Sequence, residues 1–223
     1  MKPRDYELIV FDWDGTLMDS AGKIVRCFES AVNDVGLPSP GAAAIRNIIG
    51  LGLNEAVAML LPQCAPELQS RVVARYREHF LHLDQTEMPL FPGVRDGLAT
   101  LAERGYLLAV ATGKARRGLH RVLEQTGLGH LFVASRCADE ALSKPHPQML
   151  LDILDETGVT AAAALMVGDT VYDMQMARSA RVDGLAVSYG VHDRQDLVAQ
   201  APVACLDSFQ EVHRWLSQAR SAT

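Results

Sequence analysis

This sequence of 223 residues has few cysteines and no long apolar run. None of its four cysteines belongs to a Cys-x-x-Cys pair, which argues against a zinc site or a redox motif; they are Cys27, Cys64, Cys137 and Cys205. The longest unbroken apolar run, residues 161–167, is far too short to span a bilayer. We therefore expect no membrane as a partner.

Lysine is also scarce. Only four of the 21 basic residues are lysines: Lys2, Lys23, Lys114 and Lys144. The 27 acidic residues leave a formal net charge of −6, which does not suit nucleic acid as the main partner. Arg4, Asp5 and Glu7 stand where a signal peptide would carry apolar residues. We expect a cytoplasmic protein on this ground.

Short apolar runs alternate with helical periodicity along most of the chain. The runs that predict strands are 8–12, 106–111, 131–134, 164–167, 185–187 and 203–206. Alternating strands and helices predict an α/β fold with a Rossmann-like parallel sheet core and helices on both of its faces.

Residues 18–87 interrupt this alternation. Apolar residues recur there at helical spacing in three stretches, 24–35, 53–61 and 68–83, and no strand pattern is present. We interpret this region as a helical-bundle cap domain inserted into a core domain. The predicted domains are 1–17 with 88–223 for the core and 18–87 for the cap.

Two aspartates, Asp12 and Asp14, end the first predicted strand and precede Gly15. Residues i and i+2 lie on the same side of an extended backbone, so both carboxylates face one site. Asp12 is a candidate nucleophile toward phosphorus, and Asp14 a candidate general acid and base. A calcium-binding EF-hand loop does not fit, because Leu17 and Lys23 replace its required Gly and Glu.

Two further motifs supply positive charge and N–H donors. Thr112 follows a predicted strand, and its hydroxyl with the N–H groups of Gly113 and Lys114 predicts an anion site at a helix start. A plain helix N-cap is the other interpretation of Thr112, and both roles are compatible. Lys144 is followed by two prolines in Lys-Pro-His-Pro, and its charge can offset that of Asp12 and a phosphoryl group.

The last motif begins at Gly168 and carries Asp169 and Asp173. Carboxylate oxygens suit Mg²⁺, so Asp169 is predicted to bind this cation together with Asp12. Asp173 is predicted to bind it through water or to hold Lys144, and a capped helix start is the other interpretation. Open parallel sheets place ligand sites beyond the carboxyl ends of their strands, where these motifs lie.

The four motifs, in this order, resemble the haloacid dehalogenase (HAD) superfamily, in particular its C1-capped subfamily IA and the phosphoglycolate phosphatase-like group. The resemblance covers nearly the whole chain, including the Pro-Gly-Val stretch at 92–94 and Gly-Tyr at 105–106. It implies a Mg²⁺-dependent phosphatase that forms an aspartyl phosphate on Asp12. It also implies that Thr112 binds the transferred phosphoryl group and that the backbone carbonyl of Asp14 is a third metal ligand.

Substrate choice is expected to depend on the cap, where the resemblance implies a specificity loop at residues 47–52. Glycines such as Gly50 let the backbone of this loop approach a ligand. Arg46, just before the loop, is a candidate ligand for a substrate carboxylate or second anion, and an exposed helix residue is the other interpretation. The expected partner is a small phosphorylated metabolite, whose identity stays open, as does the oligomeric state.

Several relatives within the superfamily differ at these positions. Asp14 argues against the carbon-centred dehalogenases and the phosphonoacetaldehyde hydrolases, and the latter also need a cap lysine, for which only Lys23 is available. A sugar phosphomutase shares all four motifs and stays an alternative. A catalytically silent binding protein on this fold is a further alternative.

Two residues depart from the pattern of the resembling group. Trp13 stands where leucine is more usual, and the N–H of its large ring needs a partner. Arg181 stands where relatives often carry glycine, so it is strained if its φ is positive.

Overall fold

The computed structural model describes residues 5–219 of the protein. Lys2, Arg4 and the extreme ends of the predicted core range lie outside the described residues. Within that range six strands form one sheet: β1 (Leu8–Phe11), β2 (Leu107–Thr112), β3 (Phe132–Cys137), β4 (Ala164–Gly168), β5 (Asp183–Val187) and β6 (Ala204–Leu206). All pairings are parallel, in the order β3-β2-β1-β4-β5-β6. The predicted parallel sheet is confirmed.

Helices connect the strands: α1 (Ala21–Asp34), α2 (Ala42–Asn47), α3 (Leu53–Leu60), α4 (Pro66–Glu78), α5 (Val94–Glu103), α6 (Arg116–Thr126), α7 (Gln148–Thr157), α8 (Val171–Ser179), α9 (Arg194–Ala199) and α10 (Phe209–Ala219). A π-helical segment, His79–Leu83, continues α4. None of the helices in the described range is long and apolar enough to cross a membrane.

Both faces of the sheet are buried, as the near-continuous apolar sequence of β1 requires. Ile9 and Phe11 belong to a core cluster that includes residues of α5 and α10, whereas Leu8 and Val10 belong to one that includes residues of α7. Successive side chains of a strand point to opposite faces, so helices cover both sides of the sheet, as predicted.

Helices α1 to α4 lie between β1 and β2 in the chain and have a core of their own. Its buried members are Val25, Phe28, Ala31, Val32, Ile45, Val57, Leu61, Val72 and Val73. Gly36, with φ 77°, follows α1, and Pro66 opens α4 at a position where its missing N–H is tolerated. These helices agree with the inserted bundle expected from the apolar spacing, while the domain boundaries stay a prediction.

The two chain segments that enter and leave these helices run side by side. The N–H of Asp19 donates to Pro89 O at 2.8 Å, and the N–H of Phe91 donates to Leu17 O at 3.0 Å. Met18 also forms an isolated antiparallel bridge with the second segment. Both connections are therefore held together a few residues after Asp12 and Asp14, which follow β1.

The two unusual residues have clear structural consequences. Arg181 has φ 58°, so the strain expected of a non-glycine residue at this position is confirmed. Trp13 is fully buried, and its Nε1 lies 3.4 Å from Met18 Sδ, which gives the N–H its partner. Its ring packs edge-on against Phe132, with ring centroids 6.2 Å apart.

Candidate active site

The ends of three neighbouring strands bring the predicted motifs together. The last residue of β1 is in register with Val110 of β2 and Val167 of β4. The N–H of Asp12 continues this pairing by donating to Val167 O at 2.9 Å. Thr112 and Asp169, two residues beyond these partners, therefore flank Asp12 at the carboxyl edge of the sheet, and the side chains of all three are buried.

Lys144 lies between two carboxylates. Its Nζ is 2.7 Å from Asp12 Oδ1 and 2.7 Å from Asp173 Oδ1, and at most 1% of any of these three side chains is exposed. Burial disfavours the charged ammonium, but the two carboxylates outweigh it and raise the pKa of Lys144 above its usual value. Lys144 thus provides a permanent positive charge beside Asp12.

Asp169 is held in one orientation by protein donors. The Thr16 hydroxyl donates to its Oδ1 at 2.8 Å, and the Val191 N–H donates to its Oδ2 at 2.9 Å. A Cβ built on Gly15, where φ is 84°, would lie 2.1 Å from Asp169 Oδ2, and one on Gly190 would lie 2.2 Å from it. Glycine is therefore required at both positions for this carboxylate to fit.

The buried carboxylates can accommodate a divalent cation. Oxygens of Asp12, Asp169 and Asp173 lie within 4.8 Å of one another. Asp12 Oδ2 is buried and has no hydrogen-bond partner among the described residues. Burial raises the pKa of Asp12 to about 7, with Lys144 opposing and Asp173 adding to the rise. Burial raises the pKa of Asp169 as well, and the negative charges of Asp12 and Asp173 add to the rise. A crowded anionic site with an unpaired oxygen suits Mg²⁺.

Asp173 has both of its oxygens occupied by protein groups. Oδ1 pairs with Lys144, while Oδ2 accepts from the Thr170 N–H at 3.0 Å and the Thr170 hydroxyl at 2.7 Å. The Thr170 hydroxyl also accepts from the Asp173 N–H, which completes a capping box at the start of α8. The contact with Lys144 is thus present, and direct or water-mediated metal binding by Asp173 stays a prediction.

Asp14 has a side-chain environment that the sequence did not indicate. Its Oδ1 lies 3.0 Å from Lys114 Nζ and also accepts from the Ser20 hydroxyl. Lys114 Nζ sits 4.8 Å from the ring centroid of Phe80. The backbone N–H of Lys114, the group expected to bind anions, donates to Thr112 Oγ1 at 3.2 Å. The scarcity of lysine was the one sequence signal that could have drawn attention to this side chain.

The predicted specificity loop, residues 47–52, rests directly on the motifs of the core. Gly50 has φ 102°, and a Cβ there would lie 3.2 Å from Thr170 Cγ2. A Cβ on Gly113 would lie 2.5 Å from Leu51 O and 2.6 Å from Gly50 O. The absence of a side chain at Gly113 therefore allows the loop backbone to approach the start of α6.

A cavity of about 490 Å³ lies between this loop, helix α4 with its π-helical extension, and the start of α6. Asp14, Gly50, Gly113 and Lys114 line it, so these predicted residues share one space. Arg46 does not line the cavity and its side chain is exposed, so its role as a substrate ligand stays a prediction. Arg77 and Arg117 line it instead, and no motif singled them out.

Comparisons with known proteins agree with this fold. The sequence model of the haloacid dehalogenase-like hydrolase family matches residues 9–187. "Probable phosphatase IndB" of Dickeya dadantii is 38% identical over 95% of this chain and 92% of that protein. A phosphoglycolate phosphatase of Aliivibrio fischeri is 34% identical over 97% of this chain and 99% of that protein.

A solved structure has the same fold. The crystal structure of a predicted phosphoglycolate phosphatase from Haemophilus somnus superimposes with a TM-score of 0.83 at 26% identity, covering 94% of this chain and 97% of that one. The parallel sheet and the buried carboxylates at its strand ends define an α/β protein with an aspartate-rich centre. The chain belongs to the haloacid dehalogenase-like hydrolase family, and the resemblance inferred from its motifs is confirmed.

Proposed function

We propose that the protein is a Mg²⁺-dependent phosphatase that hydrolyses the phosphomonoester of a small metabolite through an aspartyl phosphate on Asp12. The observation that carries this proposal is the buried Asp12, which has one oxygen paired with Lys144 and the other without a hydrogen-bond partner in the described part of the chain. The phosphatase names of the relatives support the same reaction class.

In the first step, Asp12 attacks phosphorus while the ester P–O bond breaks. The Thr112 hydroxyl and the Gly113 N–H would bind the phosphoryl oxygens, and Lys144 would offset their charge. Asp14 in its protonated form would give its proton to the leaving alcohol oxygen, since it lines the cavity where the leaving group would lie.

In the second step, water attacks the phosphorus of the aspartyl phosphate. Asp14, now a carboxylate, takes a proton from this water, the bond between phosphorus and the Asp12 oxygen breaks, and inorganic phosphate leaves. Lys114 and Ser20 would keep the Asp14 carboxylate oriented toward the cavity through their contacts with its Oδ1. Dividing the reaction in this way replaces one difficult step with two easier ones.

Asp12 and Asp169 would hold Mg²⁺ with the Asp14 carbonyl, and the cation would let the anionic carboxylate and phosphate approach each other. The side chain of Asp173 would hold Lys144 in place, because both of its oxygens already have protein partners. We further propose a cytoplasmic enzyme without a nucleic-acid partner, in keeping with the acidic composition.

The test is phosphate release from a panel of phosphomonoesters that includes phosphoglycolate, sugar phosphates and nucleotides, with Mg²⁺ and with a chelator. Release by the wild type with metal, and by neither the chelated protein nor Asp12→Asn, is the expected result. Product analysis with hexose phosphates separates a phosphomutase, which would return an isomer instead of free phosphate. A folded protein that binds metal and releases no phosphate would overturn the proposal.

A further inference from the structure

The cavity next to Asp14 is large for a two-carbon substrate. Its 490 Å³ falls within the range of about 300–1,000 Å³ that is typical of pockets for drug-sized ligands. Phosphoglycolate carries only a carboxymethyl group beyond its phosphate, which would leave most of this volume to water. The cavity therefore suits a bulkier leaving group.

Most of the cavity wall is apolar. The aromatic part is the stacked pair Tyr76 and Phe80, with ring centroids 5.6 Å apart, while Phe28 is only 1% exposed and packs against Tyr76 at 6.1 Å. The aliphatic part is formed by Ile24, Ile48, Ile49, Leu51, Leu53, Ala56 and Leu81. Such a wall gains free energy by burying apolar surface of a ligand, and aromatic rings gain more from a flat partner.

The cavity wall offers few cationic side chains that could bind a carboxylate of a substrate. Among the described residues that line the cavity, Lys114 is the one cation whose side chain is largely buried, and it is paired with Asp14. Arg77 and Arg117 are exposed, where an ion pair contributes little. A small acidic substrate would therefore have to compete with Asp14 for Lys114, the one largely buried cation among the described residues of this wall.

We infer that the preferred substrate is a phosphomonoester whose leaving group carries an apolar, ring-sized body, and that this body lies against Tyr76 and Phe80. This inference rests on the proposed function, because the cavity opens onto the proposed acid Asp14. It assigns a substrate class that differs from phosphoglycolate.

The test compares two esters with similar alcohol leaving groups, 2-phenylethyl phosphate and ethyl phosphate. Their chemical reactivities are nearly matched, so a difference in kcat/KM reports the binding of the phenyl ring in the transition state. Burial of a ring of this size predicts kcat/KM about tenfold to a hundredfold higher for 2-phenylethyl phosphate. Phosphoglycolate is assayed beside them and is expected to fall below the phenyl ester.

A substitution that fills the cavity tests where the ring binds. Gly118 lines the cavity in the first turn of α6, and the nearest atom to a Cβ there, Lys114 Cβ, is 3.9 Å away, so Gly118→Leu has room to fit. Leucine also favours the helix, so the fold is expected to tolerate it. The ratio of the two kcat/KM values should fall about tenfold, because the leucine occupies space that only the phenyl ring needs.

Gly22→Leu is the matched control. Gly22 lies in the first turn of α1, is exposed and does not line the cavity, and the nearest atom to a Cβ there, Arg26 Nη2, is 4.0 Å away. This variant should keep the wild-type ratio, and thermal unfolding should show both variants folded. Gly118→Ala, which adds a single methyl group, should give an intermediate ratio.

The outcomes separate this inference from the proposed function. Equal kcat/KM values for both esters, or a ratio unaffected by Gly118→Leu, overturn the inference while phosphate release still supports a phosphatase. A clear preference for phosphoglycolate over the phenyl ester also overturns it. No phosphate release from any ester overturns the proposed function itself.

Discussion

Lys144→Met removes a buried cation that contacts both Asp12 and Asp173. The two contacts, 2.7 Å each, lie among side chains that are at most 1% exposed, so water cannot replace the ammonium without rearrangement. Methionine keeps most of the volume and leaves the carboxylates facing one another. We expect a loss of both stability and activity.

The expected size of the stability loss follows from burial. Removal of one partner of a buried ion pair costs about 3–5 kcal/mol, because the remaining charge is uncompensated. Partial protonation of the carboxylates reduces this cost, since burial already raises the pKa of Asp12 to about 7. We therefore expect about 3 kcal/mol at pH 8 in the absence of metal, and a smaller loss at pH 5.

The assay is urea unfolding in chelator at both pH values, with phosphate release measured in Mg²⁺. Activity should fall at least about a hundredfold, as for the loss of one preorganised electrostatic group. Lys114→Met is the matched control, because its partner Asp14 also accepts from Ser20. The control should lose only about 1 kcal/mol of stability.

A second variant, Asp173→Asn, tests whether Lys144→Met acts through the contact between Lys144 and Asp173. The loss of unfolding free energy caused by Lys144→Met should be smaller when Asp173→Asn is also present. The double variant should therefore be more stable than the sum of the single losses predicts. A loss under about 1 kcal/mol for Lys144→Met at pH 8, or strictly additive losses, would refute the reasoning that Lys144 neutralises this cluster.

Three further predictions address the metal site and the backbone. Burial raises the pKa of Asp12 from 3.8 to about 7 in the folded protein. Without metal, the stability that protonated Asp12 contributes is therefore present below pH 4 and is lost as pH rises through 7. Mg²⁺ binding should therefore release protons and tighten over the same range, as calorimetry in two buffers would show, and a pH-independent affinity would contradict this. Gly15→Ala should abolish phosphate release and weaken Mg²⁺ binding, because the added Cβ would lie 2.1 Å from Asp169 Oδ2. A wild-type Mg²⁺ affinity of this variant would contradict the prediction. Arg181→Gly should raise the unfolding free energy by about 0.5–1 kcal/mol by relieving the strain at φ 58°, and unchanged or lower stability in urea would argue the opposite.

Most of the sheet could be predicted from the sequence, because its signals are local. Buried parallel strands read as short apolar runs, and each predicted run lies at a strand of the structure, with ends shifted by a few residues. The bounds of helix α2 were not predicted, because its six residues are too few for a periodic pattern, although an exposed helix residue was one interpretation of Arg46. The positive φ of Arg181 fits the glycine that the resembling group often carries at this position, but its strain was predicted only on the condition that φ is positive.

The sequence by itself determined which chemical groups the site contains. Asp12, Thr112 and Asp169 lie at or just beyond the ends of predicted strands, and parallel strands end at one edge of a sheet, so their proximity could be expected from the sequence. The same reasoning reached Lys144 less directly, since it lies in a loop between β3 and α7.

Only the tertiary structure decided how these groups are paired and what lies beside them. It brings the side chain of Lys114 to Asp14, seals Asp12 and Lys144 from water, and leaves Arg46 exposed. It also forms the apolar cavity from helices that are distant in the chain from Gly118. Such contacts depend on loop paths and on packing between separate elements, and the local periodicity of a sequence carries no record of either.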